Sequence, residues 1–193
     1  MQLQYTSDQS FENRDYTAQA LPTGEYENCR FVNCNFSEAD LSNTKFIAAE
    51  FIECNLSNAR ILNTAFQEVL FRNCKMLGLQ FFKADSFGFS ARFYNCRLSH
   101  ASFYQMKLNQ CSFKASQLQQ TDFTEANLRG VRIEDCDLLN AGFEHTNLEQ
   151  ADLRGSVNYS LDPELNRLKG ARFSVPEVLG LLDKYGLKID LNP

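Results

Sequence analysis

The sequence contains no tryptophan, only two histidines, and four prolines in 193 residues. Nowhere does it approach the ~18 consecutive apolar residues that a membrane-crossing helix needs, which excludes a helical span and a membrane partner. The first twenty residues, Met1 to Ala20, carry Gln, Asp, Glu and Arg and have no apolar h-region of a secretory signal. A soluble, cytoplasmic protein is the expectation. Positive charge is also scarce, with a formal net charge of −5, so a general nucleic-acid binder with a basic face is not expected. Among the seven cysteines there is no Cys-x-x-Cys pair, and an odd number cannot pair completely; reduced thiols are expected in a cytosolic setting. There is no Gly-rich phosphate loop and no metal-ligand spacing, and His100 and His145 fall at outward positions of a five-residue repeat, with no nearby partner in its predicted columns that would make a triad. The residues therefore point to no catalytic centre, no cofactor, no metal and no small-molecule substrate.

What the sequence does have is a beat of five. Large apolar residues recur at Phe31, Phe36, Leu41, Phe46, Phe51, Leu56, Ile61, Phe66, Phe71, Met76 and Phe81. After a phase break the beat runs from Phe93 through Leu98, Phe103, Leu108, Phe113 and onward to Leu153. Two positions before most centres stands a small or thiol side chain, such as Cys34, Ala39, Thr44, Ala49 and Cys54. A period of five fits neither a 3.6-residue helix nor a two-residue strand, so the chain must turn once per repeat to bring both apolar positions inward. The length suits one domain.

These residues resemble the pentapeptide-repeat family, whose consensus is a small residue, a polar one, Leu or Phe, and two more polar ones; the match runs from about Tyr26 to Leu153. The resemblance implies an all-β solenoid, a right-handed quadrilateral β-helix with four repeats per coil, spanning 1–173 with an N-terminal cap. The spacing supports four sides independently. Residues twenty apart share character, and the break between Phe81 and Phe93 makes one coil 22 residues long. Phe31, Phe51, Phe71, Phe93 and Phe113 then form one ladder, Leu56, Met76, Leu98, Leu118 and Leu138 a second, and Phe81, Phe103, Phe123 and Phe143 a third, with rings stacked at roughly 4.8 Å per coil.

All seven cysteines occupy the inward small position. A buried Cys behaves as a small hydrophobe, and parallel side chains in a ladder do not converge on one metal, so structural thiols are preferred over a redox or soft-metal site. Charge runs in blocks. Residues 1–53 carry nine acids and three bases, residues 54–119 two acids and eight bases, and residues 120–153 eight acids and two bases. Cross-rung pairing explains part of this, as for Lys114, Glu134 and Arg154, or Arg129 and Glu149. The functional alternative is an acidic face of Asp122, Glu125, Asp135, Asp137, Glu144 and Asp152 that imitates DNA phosphates toward a basic groove. The break at 82–92 must bulge by two residues. Gly88 suits an unusual backbone angle there. Phe82, Phe87, Phe89 and Tyr104 either form an exposed patch or fold back to seal the gap, and sealing is favoured.

Beyond Leu153 the beat decays, matches once more at Phe173, and gives way to a helical pattern. Ser174-Val175-Pro176-Glu177 reads as a capping box and Gly186 as a stop, predicting a helix from about Val175 to Tyr185 within a C-terminal element over 174–193. Its apolar arc is wider than capping requires, which suggests dimerisation, with Leu187, Ile189 and Leu191 as a short strand. This ending resembles that of the Qnr and MfpA quinolone-resistance proteins. The resemblance implies a homodimer joined at the C-terminal end through Val178, Leu179, Leu182 and Tyr185, shaped like duplex DNA, that binds a type II topoisomerase (DNA gyrase or topoisomerase IV) and confers quinolone resistance. The alternative is a scaffold for an unrelated protein partner.

Overall fold

The computed structural model describes residues 4–190. The chain coils into a right-handed, four-sided β-helix of about seven turns with almost no helix. Two sides carry strands. One sheet stacks β2 (Ser10–Glu12), β4 (Arg30–Val32), β6 (Glu50–Ile52), β8 (Val69–Arg72), β9 (Ala91–Tyr94), β10 (Ser112–Lys114) and β11 (Arg132–Glu134), all parallel. The other stacks β1 (Gln4–Ser7), β3 (Gly24–Glu27), β5 (Lys45–Ile47) and β7 (Ala65–Gln67). The remaining two sides are joined by isolated parallel bridges such as Asn35 to Asn55 and Asp40 to Arg60. β1 and β2 pair directly with β3 and β4, so the N-terminal segment is an ordinary first coil rather than a separate cap.

The five-residue beat produces this shape because each repeat places its apolar centre and its small residue inside, then turns a corner. The corner residue is two after the centre, and its φ is positive: 50° at Asn33, 55° at Asn73, 52° at Asn95 and 57° at Asn140. Asn tolerates that left-handed conformation better than most side chains. Where the corners stack, their amides bond one another, Asn95 donating to Asn73 at 2.9 Å and Asn33 to Asn13 at 2.7 Å.

The core is a column of side chains on each side. On the first side Phe31, Phe51, Phe71, Phe93 and Phe113 stack with ring centroids 4.8 to 5.3 Å apart. On the third side Phe81, Phe103, Phe123 and Phe143 stack at 4.5 to 5.3 Å. Rings on opposite sides meet edge to face across the core, as do Phe93 and Phe103 at 5.9 Å and 78°. Both arrangements are favourable for aromatic quadrupoles and contribute about 0.5–1.5 kcal/mol per pair beyond burial. The second side, through Leu56, Met76, Leu98, Leu118 and Leu138, is aliphatic and fully buried. The fourth runs from Tyr26, Phe46 and Phe66 to Leu108, Leu128 and Leu148.

The inward small position has a second task. Each thiol of the Cys34, Cys54, Cys74 and Cys96 ladder donates to the backbone carbonyl of the centre one coil below, at 3.3 to 3.4 Å. Thr64, Thr121, Thr146 and Ser156 make the same bond with hydroxyls at 2.7 to 3.0 Å. The position therefore selects for a small donor as well as for size.

The two-residue insertion is absorbed on the fourth side alone. β7 is the last strand of its sheet, and in the next coil Ser86 to Gly88 loop outward before Ala91 pairs with Val69. Gly88, with φ +66°, sits where a Cβ would press on the Gln67 amide. Gln67 in turn donates to the Phe87 carbonyl, and Ser90 Oγ accepts from the Glu68 N–H.

The C-terminal element differs from the predicted helix. Residues Glu177–Leu181 and Asp183–Tyr185 form two short 3-10 turns. Ser174 does not close a capping box, because its hydroxyl accepts the Gly155 N–H at 3.0 Å. Gly180 lies flat on the last coil, where its carbonyl accepts the Leu161 N–H at 3.1 Å. A segment pinned at that closeness in its middle cannot present the side-chain bulk of a regular α-helix to the coil. Leu187 to Asp190 form no strand; Leu191 lies outside the described residues.

Candidate protein-binding surfaces

Every centre and every small residue faces inward, so chemistry is confined to three outward positions per repeat. All seven thiols are buried and unpaired. Burial raises the pKa of Cys111 and Cys136 to about 12, and it holds Cys74 well above the ordinary thiol value. These groups are protonated donors at neutral pH. Among the described residues no three His, Cys, Asp or Glu side chains converge as metal ligands. No helix among them is long and apolar enough to cross a membrane.

The six acids picked from the sequence do not share one face. Each five-residue step moves the chain to the next side of the square, so neighbours in sequence separate in space. Asp122, Glu125 and Glu144 lie together on the third side, with Asp122 in the bridge column of Ser102 and Gly142. Asp137 belongs to the second side, in the column of Gln117 and Val157. There it accepts from Gln119 at 2.6 Å and Asn158 at 2.8 Å, and its pKa is lowered as these bonds outweigh partial burial. Asp135 projects from the corner between the first and second sides, over Gly155.

Asp152 is on the first side and 8% exposed. It takes a two-pronged contact from Arg154 at 2.7 and 2.8 Å and a longer one from Arg172 at 3.9 Å, with its pKa lowered chiefly by the Arg154 bonds. A carboxylate paired in this way is a structural clamp. Arg154 turns to it rather than to Glu134, although Lys114 and Glu134 do share a register. Arg129 and Glu149 meet at 3.9 Å as the column arithmetic implies.

The third side is the acidic one. Its outward positions from Ser102 to Leu165 include Asp122, Glu125, Glu144, Asp162 and Glu164 and no lysine or arginine. Asp122 accepts from Ser102 at 3.1 Å, and Glu125 from Gln105 at 2.8 Å. Lys184 of the C-terminal element reaches both Asp162 and Glu164 at 2.7 Å, and these bonds lower both carboxyls' pKa.

The bulge divides its aromatics. Phe89 is 4% exposed and seals the gap, edge-on to Phe66 at 6.2 Å and Phe81 at 6.0 Å. Phe87 is 79% exposed and Phe82 42%, the latter against Tyr104 at 6.5 Å and beneath the Lys83 ammonium. Sealing thus needs only Phe89, which takes the vacant inner position of the fourth side, and the other two rings are displayed. At the C-terminal end Val178, Leu179 and Leu182 are half-buried and Tyr185 is 50% exposed, its hydroxyl donating to Glu164 at 3.0 Å. Val175, Leu187 and Ile189 add exposed apolar surface nearby. One feature missed in the sequence reading is Tyr94, 43% exposed beneath Arg72 on the first side; its place immediately after a repeat centre is the signal that marks it as outward.

A rod with a sealed interior and a patterned skin is a β-solenoid built to present surface. The model of the pentapeptide repeat region matches residues 25–87 and 89–159, and the chain belongs to the pentapeptide-repeat family. Among solved structures it is similar to trypsin-treated R167E QnrB1, described as a plasmid-mediated fluoroquinolone resistance protein, at 19% identity over 97% of this chain and 100% of that one, TM-score 0.45. Full-length QnrB1 gives 21% identity over 95% and 100%, TM-score 0.42. HetL, a pentapeptide-repeat protein involved in heterocyst differentiation regulation from the cyanobacterium Nostoc, gives 15% over 87% and 85%, TM-score 0.31. No curated protein matches by sequence.

Proposed function

We propose that the protein is a non-enzymatic, cytoplasmic DNA mimic that dimerises at its C-terminal end and binds a type II topoisomerase with the acidic third side. The observation that carries this reading is the run of Asp122, Glu125 and Glu144 on one side, with no cation at that side's outward positions. Carboxylates fixed at rung spacing on a rigid rod offer a basic groove the charge pattern of a phosphate backbone without its flexibility. The run lies in the C-terminal half. A two-fold axis at that end, formed through Val178, Leu179, Leu182 and Tyr185, joins two such runs into one central stripe. The C-terminal sequence likeness to the Qnr and MfpA group supports the same partner.

The test is a gyrase supercoiling assay with and without a quinolone, using the purified full-length protein and its D122K/E125K/E144K variant. Inhibition or protection at micromolar protein, lost in the variant, is expected. No effect of the wild-type protein on either reaction removes the topoisomerase reading. The exposed Phe82 and Phe87 favour a second reading, a scaffold that docks a protein partner at the bulge; F82A/F87A abolishing partner capture while leaving gyrase activity untouched supports it.

A further inference from the structure

Cross-rung charges on this rod are normally complementary: Arg30 faces Glu50 at 3.7 Å, Lys45 faces Glu25 at 3.2 Å and Arg60 faces Asp40 at 3.7 Å. One region breaks that rule. Arg72, Lys75, Arg92, Arg97 and Lys114 are all exposed on the first and second sides of three consecutive coils; none forms an ion pair among the described residues, and only Lys114, at the edge of the group, has an acid, Glu134, in register on the next rung. Lys75 and Arg97 are bridged directly, rung on rung. Like charges stacked in register cost stability, so this arrangement is not explained by the needs of the fold. The two acids between Cys54 and Gln119 are Glu68 and Asp85. Glu68 is a corner residue on the fourth side, and Asp85 is occupied within the bulge, accepting the Phe87 N–H.

Within the patch sits an exposed aromatic. Arg72, Tyr94 and Lys114 occupy one column, and the Arg72 guanidinium lies 5.5 Å from the Tyr94 ring centre. Beside it, the bonded Asn73 and Asn95 amides line the adjoining corner. Cations one to two rungs apart, about 5–10 Å, together with a stacking ring and amide edges, are the combination that holds single-stranded nucleic acid. The surface is flat and has no helix or ribbon to enter a duplex groove, which disfavours double-stranded readout. An acidic peptide would use the cations but would leave the ring and amides without a role.

We infer that the patch formed by Arg72, Lys75, Arg92, Arg97 and Lys114 around Tyr94 binds the phosphate backbone of single-stranded nucleic acid, with Tyr94 stacking a base. This reverses the expectation drawn from the net charge, because the protein's acids are segregated elsewhere on the rod. It is independent of the topoisomerase reading, since the patch and the acidic run occupy different sides and share no residue.

The experiment is fluorescence anisotropy of a labelled single strand of about twenty nucleotides with the full-length protein, at about 50 and 200 mM salt. Binding in the micromolar range is expected at the lower salt. The slope of log K against log salt should lie near −2 to −3.5, for three to five phosphate contacts at about 0.7 each. R92E/R97E should weaken binding at least tenfold at unchanged Tm. Y94A should weaken it severalfold without changing the salt slope. If R92E/R97E melts early, R92Q/R97Q is read in its place with the same expectation. Absence of binding at the lower salt overturns the proposal, as does binding that the arginine substitutions leave intact. Preference for a duplex of the same length, or displacement of the strand by polyglutamate as readily as by unlabelled strand, overturns it too.

Discussion

Phe71 and Phe93 stack with centroids 5.3 Å apart and planes 8° from parallel, much as Phe51 and Phe71 do at 5.1 Å. Yet 22 residues separate the first pair and 20 the second. The extra two residues leave the ladder undisturbed because they leave the coil entirely, looping out on the fourth side while the first side keeps its pairing. Stability in a solenoid is carried by contacts between neighbouring rungs, so an insertion that preserves those contacts is tolerated.

The same contrast separates two phenylalanines six residues apart. Phe93 is 1% exposed with a ring above and below, so Phe93→Ala should cost about 3–5 kcal/mol. Phe87, 79% exposed, should tolerate Ala within about 0.5 kcal/mol. Urea unfolding of the two variants checks this. Equal losses would mean that the loop contributes to the core after all.

Much of this was legible from the five-residue beat: the four sides, three of their columns, the 22-residue coil, the inward thiols and the bulge near Gly88. The beat encodes burial, and burial determines which side chains stack. It does not show at a glance which side of the square an outward residue occupies, so a cluster of acids in sequence became four separate locations. Nor did the helical pattern at Val175 to Tyr185 survive. A propensity signal spanning eleven residues is weak, and here Ser174 and Gly180 are both committed to the coil beneath them. The corner residues carry their own signal, since Asn and Gly recur two after the centre, where φ is positive.

That corner makes a prediction of its own. Asn95 holds φ 52° and donates to Asn73. Asn95→Val puts a β-branched side chain in the left-handed region and removes the amide bond, for an expected loss of about 2–3 kcal/mol. Asn95→Gly keeps the backbone geometry and should lose about 1 kcal/mol or less. Thermal melts of both variants decide it; a Val variant as stable as the Gly variant would show that the corner is not conformationally demanding.

The thiols set a pH dependence. Burial raises the folded pKa of Cys111 and Cys136 from the ordinary thiol value of 9.0 to about 12. An acid whose folded pKa is raised binds its proton more tightly in the folded state, so stability is fully present below the unfolded value and falls as pH rises toward the folded one. The loss should set in near pH 9 and continue toward pH 12. Tyr16 and Tyr26, raised to about 12 by burial from 10.0, act in the same direction over the upper part of that window. Denaturant midpoints measured from pH 7 to 11 should fall above pH 9, and C111A/C136A should flatten the fall. A midpoint independent of pH up to 11 would contradict the buried, protonated state.

Burial also makes the thiols unreactive, because a reagent cannot reach them in the folded rod. In native buffer at pH 8 a disulfide reagent such as DTNB should titrate none of the seven rapidly, and all seven in denaturant. Rapid labelling of Cys54 or Cys96 in the folded protein would mean that the thiol ladder is open to solvent.

The C-terminal element supplies the last prediction, because it links packing to assembly. Gly180 accepts the Leu161 N–H, and a Cβ on it would run into the Tyr159 carbonyl oxygen. That obstacle is backbone and cannot rotate aside as a flexible side chain would, so Gly180→Ala should lift the element from the last coil while the coils themselves persist. Hydrogen exchange separates these effects: the Leu161 amide should lose protection, and the Phe113 amide, two rungs from Leu153 along its own ladder, should keep it. If the dimer joins through Val178, Leu179, Leu182 and Tyr185, the same substitution should convert it to monomer in light scattering. A variant that exchanges at Leu161 yet remains dimeric would move the seam to another surface and break the continuity of the acidic stripe on which the topoisomerase reading depends.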